Sequence, residues 1–272
     1  MADDRIDVDG YFARIGIAIP TTPSIEALHR IAVAHVSTMP FNNLGILRGH
    51  PIRLDVGAFN RKLIGEGLGG YCFEHNGVLL HVLEALGYDV TPLGARVRLE
   101  VPRSIVTPRS HFFLRVDIDR EPWLMDVGFG ALSPTAAIKL VPDLEQRTPH
   151  ETRRIVEAEG RLFHQALIGG RWTDAYEFTL EAMHPIDREI ANWWTSTHPD
   201  SRFRNRLIVA RAGPHGQRLT IDNRSFTMRG ADGVGVSEAI ESPEALLSIL
   251  QRHFGIVLPP GTRIDVPGQP WP

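Results

Sequence analysis

The sequence is poorest in cysteine: Cys72 is the only one in 272 residues. A single cysteine excludes an intramolecular disulfide and fits a reducing compartment, so a cytoplasmic location is expected. No uninterrupted apolar run approaches the ~20 residues of a membrane span. The opening residues, Met1-Ala2-Asp3-Asp4-Arg5, have no signal-peptide apolar core. No membrane partner is therefore expected. Charge is nearly balanced, with 29 Lys and Arg against 32 Asp and Glu, a formal net of −3. That balance gives no global pull toward nucleic acid. The 12 histidines are scattered, and none falls in zinc-finger or HExxH spacing, so no metal is expected. The glycines form neither a phosphate loop nor a dinucleotide fingerprint. No fixed-period repeat or low-complexity tract is present.

The rest of the composition, 43% hydrophobic and 22% charged, is that of an ordinary globular protein. The length allows one large domain or two to three small ones. Residues 6–87 read mainly as helix. Tyr11, Phe12 and Ile15 share a helical face before Gly16. Thr22-Pro23 reads as an N-cap followed by proline at the first helical position. Ile25, Leu28, Ile31, Ala32 and Val36 then form one stripe that stops before Pro40. From Tyr88 the period changes to strands: 88–99, 112–117, 123–127, 153–159, 162–168 and 172–180, a meander or small barrel. A short helix is expected at 184–198, then three strands (207–210, 217–221, 225–229) and a last helix opened by Ser242-Pro243-Glu244. Arg202, Arg204 and Arg206 alternate with Phe203, Asn205 and Leu207, as on a solvated strand face.

The chemistry gathers at Gly69-Gly70-Tyr71-Cys72-Phe73-Glu74-His75-Asn76. A Gly-Gly pair followed by a helix-like apolar run places a thiol at a helix N-terminus, where unpaired N–H groups and the dipole favour thiolate. On this stretch alone Cys72 is equally a small buried hydrophobe. A nucleophile also needs a base, and the base an orienting group. Ser110-His111-Phe112-Phe113 and Leu124-Met125-Asp126-Val127 lie on two strand-like stretches joined by a turn at 118–122. If the hairpin midpoint falls between Ile118 and Asp119, His111 and Asp126 stand directly opposite, with Cβ atoms about 5 Å apart. A carboxylate there fixes the imidazole tautomer. Asp117 and Asp119 compete for that role but sit nearer the turn. His75, three residues after Cys72, is a rival base with only Glu74 nearby, and reads as local packing.

Taken together, PFNNL (40–44), GGYCFEHN (69–76), SHFFLRV (110–116) and WLMDVGFG (123–130) resemble the arylamine N-acetyltransferases. YFARIG (11–16) and ANWWTSTHPDSRF (191–203) extend the match over nearly the whole chain. The resemblance implies an α+β fold in three segments: a helical bundle over 1–87 carrying the nucleophile, a β-barrel over 88–183 carrying His and Asp, and an α/β lid over 184–272. Its core would be a cysteine-protease-like Cys72-His111-Asp126 triad. It further implies Phe41, Phe129 and Phe203 at the acceptor pocket, and Thr107, Gly128 and Gly130 at the coenzyme. Acetyl-CoA would be the acyl donor and a small arylamine or arylhydrazine the acceptor, in ping-pong catalysis through a Cys72 thioester. One or more of the arginines at 202–206 would meet the coenzyme phosphates. Two positions depart from the family's pattern. Asn42 and Leu68 stand where an acidic residue and an arginine are usual, which puts the hydrogen bonding around the Cys72 turn in question.

Three other readings share parts of these features. An amide synthase closing a macrolactam from a carrier-bound acyl chain needs the same triad. A papain-like thiol hydrolase shares the Cys-His-acid logic, but the surrounding motifs speak against it. A noncatalytic binding homologue would have had no use for all three triad residues.

Overall fold

The computed structural model describes residues 5–271. The chain opens with helix α1 (Val8–Ile15), capped by the Asp7 carboxylate, which accepts the Gly10 N–H at 2.8 Å. Helix α2 (Ile25–Thr38) buries the expected stripe together with His35. Its cap is Ser24, not Thr22: the Ser24 backbone is extended and its hydroxyl accepts the Ala27 N–H at 3.2 Å, so Pro23 stays outside the helix. After these come strand β1 (Phe41–Asn42), the single turns α3 (Leu44–Leu47) and α4 (Val56–Phe59), and helix α5 (Cys72–Ala85). Helix α5 is buried almost all round, as a central core helix is.

The middle of the chain folds as an antiparallel sheet of seven strands: β2 (Asp89–Val97), β3 (His111–Ile118), β4 (Glu121–Met125), β5 (Ile138–Lys139), β6 (Arg153–Ala158), β7 (Arg161–Ile168) and β8 (Arg171–Ala182). The spatial order is β5-β4-β3-β2-β8-β7-β6. The segment after β5 pairs with β6 through Asp143 N–H to Ile155 O (2.7 Å) and a reciprocal Gln146–Arg153 pair (2.8 Å each), which nearly closes the sheet into a barrel. Leu93, Phe113, Leu124, Ile138, Tyr176 and Phe178 fill its interior.

The last third holds helix α6 (Pro185–Thr197), the turn α7 (Arg202–Asn205), strands β9 (Ile208–Ala212), β10 (Arg218–Asp222), β11 (Ser225–Arg229) and β12 (Gly235–Ala239), and helix α8 (Pro243–Ile249). Strand β1, from the N-terminal part, joins this second sheet by pairing with β9, Phe41 opposite Ala210. The loop at 40–42, which also bridges to Gly70 just before Cys72, is thereby tied to the C-terminal sheet.

A buried charge cluster ties that sheet to the barrel. Glu151 accepts Arg153 Nη2 at 3.0 Å, Arg218 Nε at 3.0 Å and Nη2 at 2.6 Å, and Arg229 Nη2 at 3.1 Å. Arg153 and Arg218 also donate to the carbonyls of Leu132 and Ser133. Each charge therefore has a partner, the condition for tolerating it in the interior.

Two expectations are corrected here, and one strand was not expected. The β3–β4 turn is Asp119-Arg120, both with positive φ, so the pairing runs Ile118–Glu121 to Leu114–Met125. His111 and Asp126 are therefore not directly opposite. The 202–206 stretch is the turn α7, not a strand: the Ser201 hydroxyl caps it by accepting the Phe203 N–H at 3.3 Å. Strand β12 went unpredicted because all five of its residues are exposed, leaving no alternation to read.

Candidate active site

Cys72 is the first residue of α5 and 3% exposed. The turn before it runs close against the 40–42 loop. Asn42 N–H donates to Gly70 O at 2.6 Å and Gly70 N–H to Pro40 O at 3.4 Å. Gly69 has φ +67, and a Cβ on it would stand 1.9 Å from Pro40 O, so only glycine fits. The Glu74 carboxylate reaches back to accept the Tyr71 N–H at 3.2 Å, the return half of a capping box, while Lys62 holds its other oxygen at 2.5 Å.

The barrel supplies the partners. His111 opens β3 and Asp126 directly follows β4; His111 Nε2 and Asp126 Oδ2 are 2.8 Å apart, both residues buried. The pairing puts Phe113 at the ladder position facing Asp126, so His111 meets the carboxylate on the diagonal. The true register lies two residues from the expected one, and a two-residue shift keeps both side chains on the same face. Asn76, one turn after Cys72, holds the carboxylate from behind. Its Nδ2 donates to Asp126 Oδ1 (2.9 Å) and Phe112 O (2.6 Å), and its Oδ1 accepts the Val127 N–H (3.0 Å). The Gly128 N–H also donates to Asp126 Oδ1 at 3.0 Å. Asn76 was missed as a site residue, although its i+4 spacing from Cys72 was the signal.

Burial would raise the Asp126 carboxyl, but the His111 charge and the hydrogen bonds from His111, Asn76 and Gly128 hold it below the usual carboxylate range. The Cys72 thiol moves the other way. Burial pushes it up, the Asp126 charge adds to that, and the amides of Phe112 and Phe73 offset only part. A helix N-terminus alone thus does not yield a lone thiolate here, because desolvation outweighs it. The sulfur is 3.8 Å from the carbonyl oxygen of Ser110, the residue before His111. Nε2 is the imidazole nitrogen that Asp126 engages.

A profile of the N-acetyltransferase family matches residues 24–263. The arylamine N-acetyltransferase / N-hydroxyarylamine O-acetyltransferase of Salmonella typhimurium is 36% identical over 248 residues, covering 90% of this chain and 87% of that protein. The arylamine N-acetyltransferase of Escherichia coli is 35% identical over 246 residues, covering 90% and 87%. The solved structure of Mycobacterium marinum arylamine N-acetyltransferase in complex with CoA superposes with a TM-score of 0.88 at 32% identity, covering 92% of this chain and 93% of that one.

The chain belongs to the arylamine N-acetyltransferase family.

The two positions that depart from the pattern of an arylamine N-acetyltransferase are reconciled without charge. Asn42 Nδ2 donates to Leu68 O (2.8 Å) and Pro40 O (3.3 Å), and its Oδ1 accepts the Leu44 N–H (3.1 Å). The amide thus binds the backbone at 68, and the Leu68 side chain packs into the C-terminal core instead. Of the three aromatics, Phe129 stands edge-on to His111, ring centroids 4.9 Å apart. Phe41 and Phe203 meet each other at 6.0 Å. Asn43 fixes Phe203 there, donating to the carbonyls of Phe203 and Arg206 (2.7 Å each). Gly130 lies against Phe41, where a Cβ would come within 3.2 Å of the ring.

Thr107 lies on the loop between β2 and β3, its hydroxyl donating to Val97 O at 3.1 Å. Arg206 is taken by an ion pair with Asp222 and is not free for a phosphate. A groove of about 320 Å³ bordered by Ser110, Met183, Ile190 and Trp194 opens next to the Ser110 carbonyl that the sulfur faces. Among the described residues, no group of three or more His, Cys, Asp or Glu could hold a metal ion, and no helix is long and apolar enough to cross a membrane.

Proposed function

We propose that this protein moves an acetyl group from acetyl coenzyme A to an arylamine or arylhydrazine through a thioester on Cys72. The carrying observation is the 2.8 Å His111–Asp126 pair together with a buried cysteine on the first turn of α5 whose sulfur lies 3.8 Å from the carbonyl oxygen of Ser110, the residue before His111. Asp126 accepts the proton on Nε2, which leaves Nδ1 as the basic nitrogen. Burial disfavours an isolated thiolate, so the reactive form is the one with the proton moved from sulfur to His111.

The thiolate of Cys72 attacks the acetyl carbonyl. A new S–C bond forms, the bond to the coenzyme sulfur breaks, and His111 returns its proton to the departing thiolate. The acceptor amine then attacks the thioester, passes a proton to His111, and Cys72 leaves and is reprotonated. Backbone N–H groups at the start of α5 stabilise the oxyanion, at about 3 kcal/mol per donor in comparable sites. Phe41, Phe129 and Phe203 suit a flat aromatic acceptor. Gly128 and Gly130 allow a ligand close to the backbone, Thr107 stands on the loop leading to His111, and the groove beside Ser110 offers a way in for the coenzyme arm. A single unpaired cysteine accords with the reducing cytoplasm. Initial rates measured against both substrates test the scheme. Parallel double-reciprocal lines are expected, and intersecting lines would require both substrates bound at once.

A further inference from the structure

A cavity of about 410 Å³ lies apart from the triad, between α3, the 50–68 segment and the chain after α8. None of Cys72, His111 and Asp126 lines it. Its size is within the range of about 300–1,000 Å³ usual for small-molecule sites. Leu44, Leu68 and Leu258 contribute apolar surface to its lining. The lining carries more positive than negative charge: Arg48, Arg53, Arg61 and Lys62 against Glu66 and Glu74, four cations to two anions, in a chain whose overall charge is −3. Arg53 is paired with Asp55 at 2.8 Å and Lys62 with Glu74 at 2.5 Å. Arg48 and Arg61 have no ion-pair partner among the described residues. Unpaired cations that converge on a cavity hold a field that favours an anion. The planar guanidinium fork matches a carboxylate with two parallel hydrogen bonds.

We propose that this cavity binds an amphipathic carboxylate, its head on Arg48 and Arg61 and its apolar body on Leu44, Leu68 and Leu258. The site is separate from the acetyl-transfer centre but wired to it. Lys62 holds one oxygen of Glu74, and the other oxygen accepts the N–H of Tyr71, the residue before Cys72. A carboxylate that pairs with Lys62 competes with Glu74 for it and loosens this hold on the turn before Cys72.

Octanoate, an acid with no aryl ring or amine, is the probe. Calorimetric titration of the full chain is expected to give saturable one-to-one binding that weakens as salt rises. Arg61→Glu, at an exposed position, is expected to weaken it at least tenfold, and Arg48→Glu by a similar factor. Saturating octanoate is expected to leave Cys72 open to alkylation by iodoacetamide. The proposal is overturned by the absence of saturable binding, or by an affinity that neither variant changes. It is equally overturned if octanoate blocks alkylation completely, which would place the acid in the acetyl-transfer site.

Discussion

A Cβ placed on Gly128 would stand 2.9 Å from the Cα of Cys72. The chain leaving the barrel after Asp126 and the first turn of α5 touch there backbone to backbone, and under the proposed mechanism that contact spaces Cys72 from His111. Gly128→Ala must push the two apart. Displacements of about 1 Å at a reacting centre are worth on the order of 10²-fold in rate, so kcat/KM for acetyl transfer is expected to fall by about that factor. Steady-state rates on folded variant protein check this, and unchanged rates would mean the contact does not position the thiol.

Asp126→Asn keeps the shape but turns an acceptor into a mixed group. Oδ1 accepts from both Asn76 and Gly128, and Oδ2 faces His111. An amide must oppose one of these donors and releases the imidazole tautomer. The expected loss in kcat is on the order of 10⁴-fold, as for the same change in serine-protease triads. Asn76→Ala should cost less, about 1–3 kcal/mol of folding stability for the buried groups left unpaired. Rate assays and denaturant unfolding separate the two effects.

A buried relay stands behind the nucleophile turn. Tyr11 Oη and His35 Nδ1 are 2.9 Å apart, His35 Nε2 and His75 Nδ1 2.7 Å, and His75 Nε2 and Pro40 O 3.2 Å. The Pro40 carbonyl can only accept, which fixes every proton: His75 donates to it, His35 donates to His75, and Tyr11 donates to His35. Burial lowers His75 to about 4, and burial together with the neighbouring His75 holds His35 well below its ordinary value. Below about pH 6.5 the unfolded chain takes up protons that the folded chain refuses, so stability falls as pH drops from about 6.5 to about 4. For His75 alone the loss is about 3 kcal/mol across that window. His75→Gln is expected to flatten this slope in denaturant unfolding run at about pH 7, about pH 5.5 and about pH 4.5. A slope equal to that of the parent protein would contradict it.

The Glu151 cluster predicts a second, lower window. Burial would raise the Glu151 carboxyl, but hydrogen bonds and charge from Arg218 and Arg153 bring it down to about 2. A depressed carboxylate adds stability that is complete above its unfolded value of about 4.3 and is lost as pH falls toward about 2. Glu151→Gln is therefore expected to cost about 3 kcal/mol at neutral pH, with the difference from the parent protein shrinking in acid. A difference that stayed constant between pH 7 and the acid range would show that shape, not charge, matters there.

How much of this was legible depended on sequence distance. The Gly16 stop of α1 and the Ser242-Pro243 start of α8 were read correctly, the α2 cap was put two residues early at Thr22, and the short motifs around Cys72, His111 and Asp126 marked the triad candidates. The β3–β4 register was misread because Asp119-Arg120 makes a positive-φ turn without the Asn-Gly signature. The even size of the slip is what kept His111 and Asp126 on one face. The meaning of Asn42 and Leu68 needed coordinates, since the bond runs from a side chain to a backbone carbonyl 26 residues away. The Glu151 cluster was out of reach altogether, its partners Arg218 and Arg229 lying 67 and 78 residues downstream.

The most direct test of the thioester route is to incubate the protein with acetyl coenzyme A and no acceptor, then take an intact mass and a peptide map. A single acetyl group on Cys72, lost when an arylamine is added, is the predicted result. Well-folded protein that stays unmodified, or carries its acetyl group at another residue, would contradict it.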